Sequence, residues 1–471
     1  MKRHRKTETS DSPDWFDEGL IDQNPTRLSG FIFFVLCVML IFSVVAYGAV
    51  DAWALALLTL GGGLIILLWC ADSFFNKQLL FNSNALQLPL LGLILIGLIQ
   101  LFPLHNLKIP NDLLAIEPVQ TLSLNPTATR LAIVRLAVYF IFFTATLTFV
   151  NNQNRFRKFV FIIITFASVM AFLGIIQRLA GIEAIYGLRP TPQQIFFGSL
   201  VNQHHFAAFM EMTIGLTLNL LYGGSTKRDK RWLLIIALVL MGSALILTGS
   251  RGGVLSLLAV LAFTTVLNLV NKESSKDIVP KANQVSRFQN KLLLVGSSLG
   301  LLLLLIVMVL FLGGDSSLMR GTGLQSQTDI STGRLHFWQV TLQIIAANPI
   351  IGAGLEAFGT AFTKYDTWNG TWRVEQAHND YLQILADAGI LGFACVAAFI
   401  YFLYKQGFQI VNRTNDHFRR GVATGALAGC FGILVHSFFD FPLRTTSNSL
   451  FFLSLAALAT NSINYPKLYK N

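Results

Sequence analysis

Residues 52–70 read AWALALLTLGGGLIILLWC, a run without a single charge. A helix needs about 20 mostly apolar residues to cross the hydrocarbon of a bilayer, and only helices and closed barrels satisfy their backbones there. Residues 292–313, LLLVGSSLGLLLLLIVMVLFLG, repeat the pattern. Only 13% of the 471 residues are charged and 53% are hydrophobic, which leaves too little polar surface for a soluble chain of this length. The fold expected is an all-α integral membrane protein with about 12 transmembrane helices and one large outside loop containing amphipathic helices. The candidate spans are 29–49, 52–70, 85–104, 131–150, 158–179, 205–222, 232–249, 252–270, 292–313, 384–404, 420–438 and 447–463.

These spans divide the chain into a tail at 1–28, a first transmembrane block at 29–313, a loop at 314–383, a second block at 384–463 and a tail at 464–471. The first 25 residues are basic, then acidic and polar, with no short apolar core before a cleavage site. A retained, locally disordered cytoplasmic tail is expected there. With the N-terminus inside and the side alternating at each span, 24 of the 35 Lys and Arg residues fall in inside segments and 10 outside. Arg135 lies within a span. The clusters STKRDKR and VNRTNDHFRR both land inside, which is the positive-inside pattern with both termini cytoplasmic. The net charge of +11 then reports topology and contact with anionic membrane lipids, and no nucleic-acid partner is expected.

Cys37, Cys70, Cys395 and Cys430 fall within or at the ends of spans, with no CxxC and no metal-ligand spacing, so they read as packing residues. The loop at 314–383 is the longest soluble element, and loops of that length are uncommon unless they carry function. Within it, GRLHFWQVTLQIIAANP reads as an amphipathic helix with Leu335, Trp338, Leu342 and Ile345 on one stripe, ended by Asn348-Pro349. Such a helix lies on the bilayer surface or caps the bundle. The following PIIGAGLEAFG supplies glycines for a turn.

The loop ends in HNDYLQILADAGILG, 378–392. His378 and Asn379 open the tenth span, and Ala386, Gly389 and Gly392 follow at three-residue steps, a spacing that lets another helix approach closely. A lone interfacial histidine often only bonds a backbone carbonyl, but this one stands at a tightly packed mouth. An imidazole, with a reference pKa of about 6.5, suits taking a proton from a hydroxyl at neutral pH. Arg251, in the short outside turn LTGSRGG, sits at the membrane boundary, with Gly252 and Gly253 clearing space beside it. A snorkelling arginine needs no such glycines, and arginine is costly near the bilayer unless it serves a partner. Arg334 begins the amphipathic helix and Arg320 lies upstream in SLMRGTG; either could be a plain loop charge. Arg189 precedes Asn202, His204 and His205 at the entrance to the sixth span. Guanidinium groups bind phosphate oxygens bidentately and stay charged. The residues therefore point to an anionic, phosphate-bearing substrate handled at the outer face. No HExxH, GxSxG, phosphate-binding glycine loop or glycosidase-like carboxylate pair stands in the chain. His204 and His205 are adjacent, without the spacing that puts two ligands on one helix face, so neither a metal nor a cofactor is expected. Glu211, Arg135 and Asp440 are costly in or near spans and are expected to pair with one another or to line the cavity.

HNDYLQILADAGILG fits a pattern of His, then Asn, Ser or Gln, nine residues, Gly, two residues, then Gly, Thr or Tyr. That pattern resembles the signature of the O-antigen ligase and polymerase superfamily of bacterial membrane glycosyltransferases. TGSRGG, GRLHFW followed by NPIIGAG, NQHHFAAF and HSFFDFPL at 436–443 extend the resemblance over about residues 130–460. It implies transfer of a glycan from an undecaprenyl-diphosphate-linked donor to an acceptor hydroxyl at the periplasmic face of the bacterial inner membrane, without metal or nucleotide. His378 would be the base on the acceptor, and Arg251 and Arg334 would hold the diphosphate. Arg189, Asn202, His204, Arg320, Asn379 and Asp440 would contact substrate. The doubled histidine in NQHHF departs from the asparagines more usual there. Ligation onto a lipid or glycan acceptor, polymerisation of a lipid-linked repeat and oligosaccharide transfer to protein all fit one chemistry. Anion transport and a non-catalytic export scaffold are the readings from other classes, and clustering of the arginines at one face favours the enzyme.

Overall fold

The computed structural model describes residues 26–103, 121–191, 195–223, 228–273, 333–368 and 373–461. The expected ninth span, most of the N-terminal tail, residues 462–471 and Arg320 lie outside them. Thirteen α-helices are described: α1 (Arg27–Val45), α2 (Ala52–Asn76), α3 (Gln87–Gln100), α4 (Pro126–Phe149), α5 (Gln153–Leu179), α6 (Gln203–Tyr222), α7 (Arg228–Leu247), α8 (Arg251–Glu273), α9 (Arg334–Ala347), α10 (Phe358–Tyr365), α11 (Asp380–Arg413), α12 (His417–His436) and α13 (Thr446–Thr460). Among the described residues, eight are long and apolar enough to cross a membrane: α1, α2, α4, α5, α7, α8, α11 and α12. The helices at the expected third and last spans are shorter, 14 and 15 residues. A two-stranded hairpin, β1 (Ala184–Ile185) and β2 (Arg189–Pro190), is the sheet among the described residues.

Local chemistry starts the helices. The side chains of Thr26, Asn125, Asn152, Asn202, Asn379 and Asp416 each accept a backbone N–H in the first turn of the helix that follows. Pro126 fixes the first turn of α4 at a position where no N–H is needed. α6 is buried along nearly its whole length and forms the centre of the bundle. It meets α12 backbone to backbone, because a Cβ on Gly215 would lie 2.6 Å from Gly429 N and one on Gly429 would lie 2.3 Å from Met212 O.

The small residues of α11 admit something other than the helix expected. Gly389 has φ +62° and ψ −163°, which breaks the helix. Into the break runs the irregular segment 349–355, hydrogen-bonded to both halves. Ala353 N donates to Ala386 O at 2.8 Å and Gly354 N to Asp387 O at 3.1 Å, while Ile390 N reaches Pro349 O at 2.9 Å and Leu391 N reaches Ile350 O at 3.2 Å. Gln100 at the end of α3 completes the seam by donating to Asp387 O at 2.8 Å and accepting from Leu355 N at 2.8 Å. Irregular backbone inside a membrane bundle survives only when it is satisfied in this way. The glycines of PIIGAG make the turn expected of them, Gly352 and Gly354 both at positive φ, and that turn is what enters the break.

The expected amphipathic helix is α9, but its buried face is rotated. Val340, Thr341 and Ile344 are buried, while Leu335 and Leu342 are exposed. Of the two readings for Glu211, Arg135 and Asp440, pairing with one another is not found, while Arg135 does line a cavity. Each has its own partner: Glu211 Oε2 lies 3.1 Å from His436 Nδ1, Arg135 Nη1 lies 2.9 Å from Glu356 Oε1, and Asp440 meets His378. Helices approaching from different parts of the sequence offer these closer partners.

Candidate functional site

His378 ends an extended segment at the N-terminus of α11, with φ +50°. A non-glycine residue pays for that left-handed conformation, and histidine is among the side chains seen there more often. The N-cap beside it fixes the strain. Asn379 Oδ1 accepts the N–H groups of Tyr381 and Leu382, both at 3.0 Å, and its Nδ2 donates to Phe438 O at 3.1 Å. Asn379 thus ties the start of α11 to the loop after α12, so its amide is engaged by backbone at both ends. Asn202 caps α6 in the same manner through His204 N at 2.8 Å. Both asparagines expected to touch substrate hold the frame.

The loop after α12 carries Asp440. Its Oδ1 lies 3.1 Å from His378 Nδ1 and also accepts Phe441 N at 3.0 Å. The Asp440 side chain is 2% exposed and that of His378 is 32% exposed. Burial pushes the Asp440 carboxyl up, but the His378 hydrogen bond and the neighbouring imidazoles of His204 and His205 more than offset it, and the carboxyl stays below the usual carboxylate range. A carboxylate facing Nδ1 makes that nitrogen the N–H donor and leaves the lone pair on Nε2. Phe337 of α9 stacks on the imidazole at 5.9 Å, and Phe441 meets it edge-on at 4.8 Å. The ring is held between two aromatic groups and one carboxylate.

Arg251 is exposed and is the first residue of α8; Arg334 is the first of α9. A cation there opposes the helix dipole, which favours an anion at the same place. Ser250 Oγ accepts Gly253 N at 3.1 Å to start α8 and meets His204 Nδ1 at 2.9 Å, which joins the entrances of α6 and α8. Burial lowers the Arg334 pKa, the Asp440 carboxylate opposes that, and the like charge of Arg251 adds to it. The two guanidiniums and the Asp440 carboxylate therefore share one electrostatic neighbourhood. Arg189 is elsewhere: it forms an ion pair with Asp51 and lies over the Tyr47 ring at 4.7 Å. His205 is turned to Thr445 Oγ1 at 2.6 Å.

Sequence reasoning missed a second polar network. Arg444 bridges Glu356, at 3.0 Å, and Asp387, and Arg135 joins Glu356. Beside it an apolar cavity of about 230 Å³ opens between α3, α4, α11 and α13, lined by Leu93, Leu136, Tyr381, Ile384 and Phe399. The buried charges were visible in the sequence, but partners as far apart as Arg135 and Glu356 carry no local signal. Among the described residues no cluster of three or more His, Cys, Asp or Glu could hold a metal.

Fold and geometry together describe a multi-pass membrane protein with an imidazole–carboxylate pair and two arginines gathered at one end of its bundle. Residues 236–397, from within α7 into α11, match the O-antigen ligase family, which bears out the resemblance read from the sequence. That supports a membrane glycosyltransferase of the O-antigen ligase or polymerase kind. No curated protein matches the chain.

Proposed function

We propose that the protein transfers a glycan from undecaprenyl diphosphate to an acceptor hydroxyl at the periplasmic face of the bacterial inner membrane, with both chain termini in the cytoplasm. The observation that carries this reading is the His378–Asp440 pair, in which Nδ1 faces the carboxylate and Nε2 keeps its lone pair. In the reaction the acceptor oxygen attacks the anomeric carbon and gives its proton to His378 Nε2. The bond from that carbon to the diphosphate oxygen breaks, and the configuration inverts. The leaving diphosphate takes the electron pair, and Arg251 and Arg334 stabilise its growing charge, so no acid is needed on the leaving group. His204 meets Ser250 beside the Arg251 turn, and the apolar cavity beside Tyr381 offers room for a hydrocarbon chain.

The test uses purified protein in lipid with undecaprenyl-diphosphate oligosaccharide, a lipid A-core acceptor and EDTA. The expected product is a glycan-capped acceptor that His378→Ala fails to make. A ladder of longer lipid-linked glycans, also lost in the variant, would assign the same site to polymerisation. No product from wild type with intact native donor, or full activity in His378→Ala, would overturn the proposal.

A further inference from the structure

One exposed aromatic surface near His378 has no part in that chemistry. Trp368, in the segment after α10, is 47% exposed. The His336 ring stacks flat against it, with centroids 4.2 Å apart and planes 6° from parallel. Asp366 Oδ1 holds His336 Nε2 at 2.8 Å and accepts the Trp368 backbone N–H at 3.0 Å. Phe337 meets the indole at 5.8 Å and stacks on His378 at 5.9 Å. The indole is therefore fixed from behind by an imidazole that is itself fixed, and it stands two ring-to-ring steps from His378.

Single exposed apolar side chains are ordinary. This one differs because its orientation is over-determined, as in a binding surface that must not move. The imidazole covers one face and Phe337 meets the ring at a steep angle, yet 47% of the residue stays exposed. The neighbouring groups decide what fits there. Asp366 and His336 keep 11% and 14% of their side chains exposed beside the indole, polar surface that an alkyl chain would cover without returning a hydrogen bond. A sugar ring meets both demands. Its C–H groups, polarised by the oxygens they flank, sit on the negative face of an aromatic ring, and its hydroxyls reach polar groups at the rim.

We propose that Trp368 is a stacking platform for a pyranose ring of the glycan that reacts at His378, with Asp366 and His336 as its polar rim. The spacing through Phe337 seats that ring a sugar or two away from the bond being made. The inference rests on the glycosyltransferase reading and adds a subsite to it. Either substrate could supply the ring, since donor and acceptor glycans both converge on His378.

The experiment reads binding without turnover, using full-length His378→Ala protein in nanodiscs. The probes are two lipid-free oligosaccharides, one released from the polyprenyl-linked donor and one from the lipid A-core acceptor, followed by saturation-transfer NMR and titration. Trp368→Leu keeps bulk but no aromatic face, and Trp368→Phe keeps a smaller face. Leu should weaken binding of one probe about tenfold, the size of one aromatic contact, and Phe should weaken it less. The probe that responds identifies the source of the ring. Equal binding of both probes by wild-type, Leu and Phe side chains at 368, or equal loss with Leu and Phe, would overturn the inference. Failure of the transferase reading looks different: wild type would form no product from intact donor while the Trp368-dependent binding persisted.

Discussion

Asp440→Asn changes one atom's chemistry at the centre of the proposed mechanism. In the native pair the carboxylate can only accept, so Nδ1 of His378 must carry the proton. An asparagine that turns its NH2 toward Nδ1, giving up the bond from Phe441 N, moves the ring proton to Nε2 and removes the base. The Asp440 side chain is 2% exposed, so water cannot take over its role. A hydrogen bond to a charged group contributes about 1.5–3 kcal/mol, which corresponds to about 10- to 150-fold in rate. The wrong tautomer adds to the lost alignment, so kcat should fall toward the upper end, about 100-fold. Donor KM should not rise, because the change removes a negative charge from the neighbourhood of Arg334 and leaves the arginines less opposed. Glycan transfer in proteoliposomes, with donor varied at saturating acceptor, separates the two constants, and a melting curve checks folding. Asp440→Glu should recover part of kcat. A kcat within about threefold of wild type, alongside an inactive His378→Ala, would show that the carboxylate does not orient the base.

Three further outcomes follow from the geometry. Gly389→Ala would place a Cβ 2.3 Å from Ile350 O at a φ of +62°, so it should cost about 3 kcal/mol or more and appear as a lower melting temperature or lost expression. Arg251→Ala and Arg334→Ala should each raise donor KM about 10- to 100-fold, and the double variant should lose less than the product of the two if both grip one diphosphate. Burial raises the Glu356 carboxyl, but Arg444 and Arg135 more than offset it and leave it below the ordinary value. The stability that a depressed carboxylate contributes is complete above its unfolded pKa of about 4.3 and is lost as pH falls through the folded value. Glu356→Gln should therefore lower the melting temperature at pH 7 and flatten the acid limb that wild type shows below that pKa, as read by melting curves from neutral to acid pH.

The apolar runs made the bundle legible, because each spanning helix must satisfy its backbone alone and so announces itself in its own residues. His378 stood out as a candidate in its motif, but its partner did not: Asp440 lies 62 residues on, beyond a whole hairpin of helices. Arg189 looked like a substrate ligand because it precedes a polar helix entrance, yet Asp51, 138 residues away, is what it meets. Small residues at three-residue steps correctly marked a close approach at Gly389. They could not say whether a helix or an irregular segment would come, since both demand a missing side chain.

That inserted segment explains how the proposed site can be rigid while its parts come from distant elements. Arg334 stands on α9, His378 at the start of α11 and Asp440 after α12, and none of these is adjacent in sequence. The chain leaving α9 is pinned within a few residues by the backbone bonds of 349–355 to the broken α11. The chain returning to His378 is pinned by Trp338 Nε1, which donates to Ala377 O at 3.0 Å, and by Ala377 N donating to Gln383. Both ends of the segment between α9 and α11 are thus anchored to α11, and Asn379 anchors that helix to the loop of Asp440. A displacement at Gly389 would accordingly move Arg334 and His378 relative to each other. A folded Gly389 variant should lose kcat with its His378–Asp440 chemistry intact, as a misplaced site does.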